Sequence, residues 1–299
     1  MSQHTTPRYA VNSYSTPHNS VFEDIEQIAR TGGSGIGLWE AKLPEGRDDE
    51  VRAALAAHGL KATFCVPTVH TILPVPFNVP GTVSDPAERT RAAAASVARL
   101  AAFDPVAIVI GPGTSGDASR PVGPVEAVAE GLGVVADAAA DAGVEITFEL
   151  LAERRGSPLH DLPTIAAFID DVGRENVGIM FDIFHSWCEP DLHDHLREFG
   201  SRITGVHVND IKVDERCGFD RELPGQGRAV AADIIATLLE VGYDGWWELE
   251  VFSDDGTFGT DLPDSYWKWP HELLLERSKT AFDRVYADAL ELLAARQRV

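Results

Sequence analysis

The chain has 299 residues, 44% of them hydrophobic, and 25 basic against 47 acidic side chains give a formal net charge of −22. A chain of this size and composition can bury one large core, so we expect a single domain. The negative charge and the lack of a basic block argue against nucleic acids and anionic membranes as partners.

Cysteine usage and the N-terminal sequence suggest where the protein works. Cys65, Cys188 and Cys217 have neither metal-binding nor redox spacing, and an odd number suits a reducing compartment. The N-terminal MSQHTTPRYA does not pair a basic segment with an apolar one, and no apolar run approaches the roughly 20 residues of a membrane-spanning helix. We therefore expect a cytoplasmic protein.

Strand-like and helix-like segments alternate along the first half of the chain. Strands are predicted near 9–14 and at GIGLWE, KATFCVP and VAIVIG. Amphipathic helices are predicted after them, at 21–30, 48–58, 86–103 and 124–142.

The same alternation continues in the second half. The predicted strands are VEITFEL, VGIMFDIFH, ITGVHVND and GWWELEVF, and the helices lie near 162–172, 192–199, 231–241 and 271–295. Alternating strands and helices are typical of parallel βαβ units, and eight units close into a barrel. We predict an α/β fold, a (β/α)8 TIM barrel over residues 1–299 as one domain with a C-terminal helical extension.

The last four strands each carry an acidic or imidazole side chain at or near the carboxyl end: Glu149, Asp182, His207 and Glu250. In a parallel barrel these ends meet at one mouth. Three carboxylates about 5 Å apart repel by about 3 kcal/mol per pair at an effective dielectric near 20, and a divalent cation removes that penalty. Oxygen ligands with one imidazole favour Mn²⁺ first, with Mg²⁺, Co²⁺ or Zn²⁺ as alternatives.

Strand parity leaves one ambiguity at this site. Glu248 and Glu250 share a face of their strand because side chains alternate with a period of two. Glu250 lies nearer the carboxyl end and is our predicted ligand. Glu248 would lie one layer deeper or, in a shifted register, replace it.

Four further residues follow predicted strands and could line a substrate pocket. His185 comes three positions after Asp182, and Arg221 precedes a Pro-Gly turn. Glu40 and His70 follow early strands. Each also has a plainer interpretation, as a loop histidine, a surface charge or a structural side chain.

Several motifs resemble the xylose isomerase-like barrel family, also called sugar phosphate isomerases/epimerases. They are FEL, MFDIFH, GVHVND with RELPGQG, and GYDGWWELEVF, and NSYS and GIGLWEAKL extend the resemblance over nearly the whole chain. The resemblance implies that one divalent metal binds Glu149, Asp182, His207 and Glu250. It also implies that Glu149 and Glu250 act as catalytic base and acid, and that His185 and Arg221 contact sugar hydroxyls. The segment SDDGTFGTDLPDSYWKWP departs from the family pattern.

These features predict a divalent-metal-dependent isomerase or epimerase that transfers a proton through a metal-bound enediolate. Few basic residues surround the predicted mouth, so the expected substrate is an unphosphorylated ketose or keto sugar. The alternative is a lyase that uses the same site for β-elimination, either as a keto-inositol dehydratase or as a 3-keto C-glycoside-cleaving enzyme. We expect a homo-oligomer. One alternative is an assembly with a different partner subunit, and another is that this chain is a catalytically silent barrel that serves as such a subunit.

Overall fold

A computed structural model describes residues 6–75, 83–115, 119 and 123–298. The first half contains β1 Arg8–Asn12, α1 Val21–Arg30, β2 Gly35–Gly37, α2 Asp48–His58, β3 Lys61–Ala62, β4 Phe64–Cys65, α3 Pro86–Ala101, β5 Ala107–Ile110 and α4 Val125–Ala142. The second half contains β6 Ile146–Glu149, α5 Leu162–Val172, β7 Val177–Asp182, α6 Ile183–Ser186, α7 Leu192–Phe199, β8 Ile203–Val208, β9 Asp210–Ile211, β10 Arg221–Glu222, α8 Ala231–Glu240, β11 Trp246–Leu249 and α9 His271–Arg296.

Nine strands form one parallel sheet that curls into a barrel. Their order in the sheet is β3-β2-β1-β11-β8-β7-β6-β5-β4, so β3 and β4 are its two edge strands. These two strands are parts of one predicted strand, KATFCVP, separated by Thr63 alone. The ring is thereby nearly closed, and the predicted α/β barrel is confirmed. The domain limits at 1–299 stay a prediction.

Helix boundaries follow local capping chemistry. Ser20 and Glu23 form a capping box at the start of α1, in which each side chain accepts a hydrogen bond from the other residue's backbone. Asp85 accepts from the Glu88 N–H and begins α3, which has a proline in its first turn. Asp161 caps α5 in the same way. These acceptors satisfy N–H groups that have no partner within the helix.

Two of the elements that the sequence did not predict follow β7 and β8 at the barrel mouth. The one-turn helix α6 begins directly after β7, because Asp182 Oδ1 accepts a hydrogen bond from the Phe184 N–H at 2.9 Å. The short antiparallel pair β9–β10 follows β8, with Arg221 opposite Ile211. Both turn the chain back over the barrel mouth immediately after a strand ends.

Apolar side chains fill much of the barrel interior below the mouth. Phe64 and Met180 are fully buried there. A side chain at Gly205 would overlap both of them, which explains a glycine in this strand. This packed floor confines solvent and ligands to the upper end of the barrel. Among the described residues, no helix is long and apolar enough to cross a membrane.

Candidate metal centre

Four side chains from neighbouring strands meet at the mouth of the barrel. Glu149 ends β6, Asp182 ends β7, His207 lies one residue before the end of β8, and Glu250 directly follows β11. One potential ligand atom from each residue lies within 4.8 Å of all the others. The pairing register produces this convergence, since Asp182 stands opposite His207 across the β7–β8 ladder.

His207 lies at the centre of the cluster and is buried. Its Nδ1 atom is 3.0 Å from Glu149 Oε1 and 3.5 Å from Glu250 Oε2. On the next strand, Asp182 Oδ1 accepts a hydrogen bond from Asn209 Nδ2 at 2.7 Å. The inward face of β8 and the residues after it therefore supplies one candidate ligand and orients another.

Arg221 joins two of the carboxylates. Its Nη1 atom donates to Asp182 Oδ2 and to Glu250 Oε2, both at 2.8 Å. The guanidinium lies between the rings of Phe184 and Phe252, with centroid distances of 4.5 and 4.7 Å. Arg221 is buried, so both ion pairs are shielded from water.

The loop that carries Arg221 is held in place by the carboxylate of Asp210. Asp210 Oδ1 accepts hydrogen bonds from the backbone N–H groups of Ile211 at 2.7 Å and Ala229 at 2.8 Å. A side chain at Gly227 would overlap the Ile211 carbonyl oxygen and Asp210. The GQG sequence therefore allows the loop to lie close to β9, which places β10 and Arg221 over the cluster.

Burial and the neighbouring charges shift the pKa values of two carboxyl groups of the cluster in opposite directions. Burial alone would raise the pKa of Asp182, but Arg221, His185 and His207 outweigh it and hold that pKa at about 2. Burial raises the pKa of Glu250 to about 7, against the opposing effects of His207 and Arg221. Glu250 can therefore gain or lose a proton near neutral pH, whereas Asp182 stays ionised.

Glu248 lies below the cluster and is fully buried. Its Oε1 atom accepts a hydrogen bond from Asn12 Nδ2 at 3.1 Å, and its Oε2 atom accepts one from Thr63 Oγ1. The structure thus places Glu250, and not Glu248, among the four clustered side chains. The register in which Glu248 would replace Glu250 is not the one observed.

A cavity of about 860 Å³, including the space at its open end, lies above the cluster. Three of the four predicted pocket residues line it: His185, Arg221 and His70. Glu40 does not belong to this lining, and its prediction as a pocket residue is not supported. Its Oε2 atom instead accepts from the Thr68 N–H at 2.9 Å and from Ser96 Oγ at 2.6 Å, tying a loop to α3.

Sequence reasoning missed several residues of the cavity wall. Besides the predicted residues, the described wall contains Tyr14, Val66, Thr71, Val75, Val109, Thr114, Leu151, Arg155, Gly218, Phe219 and Phe252. Arg155 is notable because we expected few basic residues here. Its Nη2 atom donates to Glu215 Oε1 at 2.7 Å, and Glu215 also lies 3.8 Å from Arg154. The NSYS motif was the one available signal for Tyr14.

One ring nitrogen of His185 is hydrogen-bonded to the backbone. Its Nδ1 atom accepts a hydrogen bond from the Ala152 N–H at 3.3 Å. Burial lowers the pKa of His185 well below its usual value, so the ring is neutral and carries its proton on Nε2. That nitrogen lies 3.8 Å from Asp182 Oδ2 and can donate to a ligand beside the cluster.

Comparisons with known proteins agree with this geometry. The chain is 31% identical over 135 residues to a D-psicose 3-epimerase of Agrobacterium fabrum, covering 44% of each chain. It is 30% identical over 135 residues to an inosose isomerase of Bacillus velezensis, covering 42% of this chain and 45% of that protein. The chain thus spans less than half the length of either relative in these alignments. Both relatives are sugar-converting isomerases or epimerases.

A solved structure and a family profile extend the comparison to nearly the whole chain. The crystal structure of the IOLI protein with a zinc atom superposes with a TM-score of 0.75 at 18% identity, over 94% of this chain and 99% of that one. At this identity it shows a shared fold. The profile of the xylose isomerase-like TIM barrel matches residues 25–277. The protein therefore belongs to the xylose isomerase-like TIM barrel family.

Proposed function

We propose that the protein is a divalent-metal-dependent epimerase or isomerase of an unphosphorylated ketose or keto sugar. The observation that carries this proposal is the convergence of four potential ligand atoms within 4.8 Å at the barrel mouth, on Glu149, Asp182, His207 and Glu250. The relatives named D-psicose 3-epimerase and inosose isomerase support the reaction class.

The donor set fits a divalent cation. Three carboxylates and the imidazole of His207 in its neutral form are ligands that Mn²⁺ and Mg²⁺ accept. Co²⁺ or Zn²⁺ can take the place of these two ions. When ionised, the three carboxylates carry three negative charges, and Arg221 neutralises one of them. A divalent ion would balance the remaining two. When bound, it would polarise the substrate carbonyl and stabilise the charge that develops as a neighbouring C–H proton leaves.

Glu149 and Glu250 are the proposed proton-transfer residues. Both line the cavity, and both lie close to His207 Nδ1, at 3.0 and 3.5 Å. One carboxylate would take the proton from the carbon beside the carbonyl, and the other would return a proton to the opposite face. The two residues exchange roles in the reverse reaction.

Arg221 and His185 would position the sugar. Arg221 lines the cavity, and its buried Nε atom has no hydrogen-bond partner within the described residues. The neutral His185 ring offers the Nε2–H group on the same wall. Two fixed donors beside the two proton-transfer carboxylates can bind neighbouring substrate hydroxyl groups and set which carbon faces the base.

Proton exchange with solvent tests this proposal directly. The protein would be freed of metal with a chelator, reloaded with Mn²⁺ and incubated in deuterated water with D-psicose, D-tagatose or an inosose. We expect deuterium at the carbon next to the carbonyl, together with the epimer or isomer, only in the reloaded sample. Equal exchange with and without metal would contradict the metal requirement, and no exchange with any keto sugar would contradict the reaction class.

A lyase reaction is the second candidate, and the apolar part of the cavity wall supports it. Val66, Val109, Leu151 and Phe252 give the wall an apolar part that suits an aromatic leaving group. The same proton abstraction would then expel a β-substituent with its bonding electron pair, and the acid would protonate it. Release of an aromatic product from a 3-keto C-glycoside, detected by absorbance, separates this reaction from epimerisation.

A further inference from the structure

We propose that Glu248 is a positioning residue for His207, holding the imidazole so that Nδ1 faces the metal site. In this arrangement the Glu248 carboxylate accepts a hydrogen bond from the His207 Nε2–H group. The inference rests on the proposed function, because it assigns Glu248 a role behind a metal ligand.

The two nitrogens of His207 have different surroundings. Nδ1 faces the cluster, beside Glu149 and Glu250. Nε2 lies on the other side of the ring, 3.5 Å from Glu248 Oε1, is buried, and has no hydrogen bond within the described residues. When Nδ1 binds a cation, the neutral ring carries its proton on Nε2, and a small ring rotation brings that proton to Glu248 Oε1.

The pocket around Glu248 is built for a carboxylate. Asn12 donates to Oε1 from β1, while Thr63 Oγ1 and the Phe64 N–H, at 3.4 Å, face Oε2 from the third strand of the barrel. On β2, any side chain at Gly37 would overlap Glu248 Oε1. Several strands thus leave space or provide donors for this one side chain.

A purely structural role does not explain a carboxylate at this position. A buried charge loses its hydration, and an apolar side chain of similar volume usually gives a more stable core. The donors from Asn12, Thr63 and Phe64 are all neutral, so the nearby group that can offset the charge of Glu248 is His207, 3.5 Å away. A carboxylate that faces a ligand imidazole gains a charge-assisted hydrogen bond once a cation draws electron density from the ring.

Metal affinity gives the first test. We would measure the Mn²⁺ dissociation constant of the full-length protein and of Glu248→Gln and Glu248→Leu. Loss of such a partner weakens metal binding about 10- to 100-fold. We expect that range for Glu248→Leu and a smaller effect for the isosteric Glu248→Gln, which keeps an oxygen acceptor and remains informative if the leucine variant does not fold. Asp24→Asn is the matched control, because Asp24 is equally buried but bonds Thr16 and Lys42.

The tautomer of His207 gives the second test, which a general loss of stability would not change. In the Zn²⁺-loaded protein, NMR of ¹⁵N-labelled histidine should show a slowly exchanging proton on Nε2 and none on Nδ1. A proton on Nδ1, or dissociation constants within twofold of wild type for both Glu248 variants, would overturn this inference alone. Failure of the wild-type protein to bind any divalent metal would overturn the proposed function as well.

Discussion

Replacing Arg221 with methionine should destabilise the protein by an amount that depends on metal. The guanidinium contacts Asp182 and Glu250 at 2.8 Å each, and all three groups are buried. At an effective dielectric of about 20, each contact provides about 6 kcal/mol of gross attraction. Desolvation of the charges offsets much of it, and breaking a buried ion pair from one side typically costs about 3–5 kcal/mol.

Metal should reduce this loss, because a divalent cation supplies the positive charge that Arg221→Met removes. We therefore expect the free energy of unfolding to fall by about 3–5 kcal/mol in chelator and by clearly less in saturating Mn²⁺. Urea unfolding under both conditions, followed by fluorescence, measures the difference. Arg197→Met is the matched control, since Arg197 pairs with Asp194 and Glu240 at the surface and should contribute about 1 kcal/mol or less.

An equal loss of stability with and without metal would refute this reasoning. It would mean that the cation and Arg221 do not neutralise the same carboxylates. A loss in the Arg197→Met control as large as in Arg221→Met would show instead that the assay responds to arginine removal in general and not to the cluster.

Three further predictions concern ligands, pH and substrate charge. Glu149→Gln and His207→Ala should each lower the metal content of the purified protein sharply, as measured by mass spectrometry; full retention in both would contradict the ligand set. Burial lowers the pKa of His70 from 6.5 to about 4, so stability should be complete above pH 6.5 and decrease as the pH falls towards 4. Urea unfolding should therefore show a loss about 3 kcal/mol larger in wild type than in His70→Gln, and parallel pH profiles would argue against it. Neutral ketoses should have a higher kcat/KM than their phosphate esters, because the clustered carboxylates repel a phosphate and Arg155 is already paired with Glu215; a preference for the ester would reverse this ranking.

The barrel and the central cluster could be predicted from sequence for a definite physical reason. Strands buried on both faces appear as short apolar runs, and the parallel topology brings their carboxyl ends together. A single polar residue at the end of each run is then enough to predict convergence. Glu149, Asp182, His207 and Glu250 meet this condition, and strand parity also placed Glu248 one layer below Glu250.

The pocket wall could not be predicted in the same way. Glu40 follows a strand much as Glu149 ends one, yet its carboxylate bonds Thr68 and Ser96 because α3 packs beside it. Arg155 ends a one-turn 3₁₀ helix and Phe219 lies in a turn, and neither element is long enough for periodicity to relate sequence position to direction. Their contacts depend on how separate loops pack together, which a local pattern does not contain.

The charge balance of the mouth connects the fold to substrate choice. Three clustered carboxylates, Arg221 and a bound divalent ion would sum to zero, and Arg155 of the cavity wall is paired with Glu215, which Arg154 also contacts. A neutral sugar leaves this balance unchanged, whereas a phosphate ester would bring about two negative charges into a protein that already carries −22. Arg221 is placed over the cluster by the β9–β10 pair and by the hydrogen bond from its own backbone N–H to the Phe252 carbonyl oxygen at 2.8 Å, so this small antiparallel extension contributes to the charge balance of the mouth.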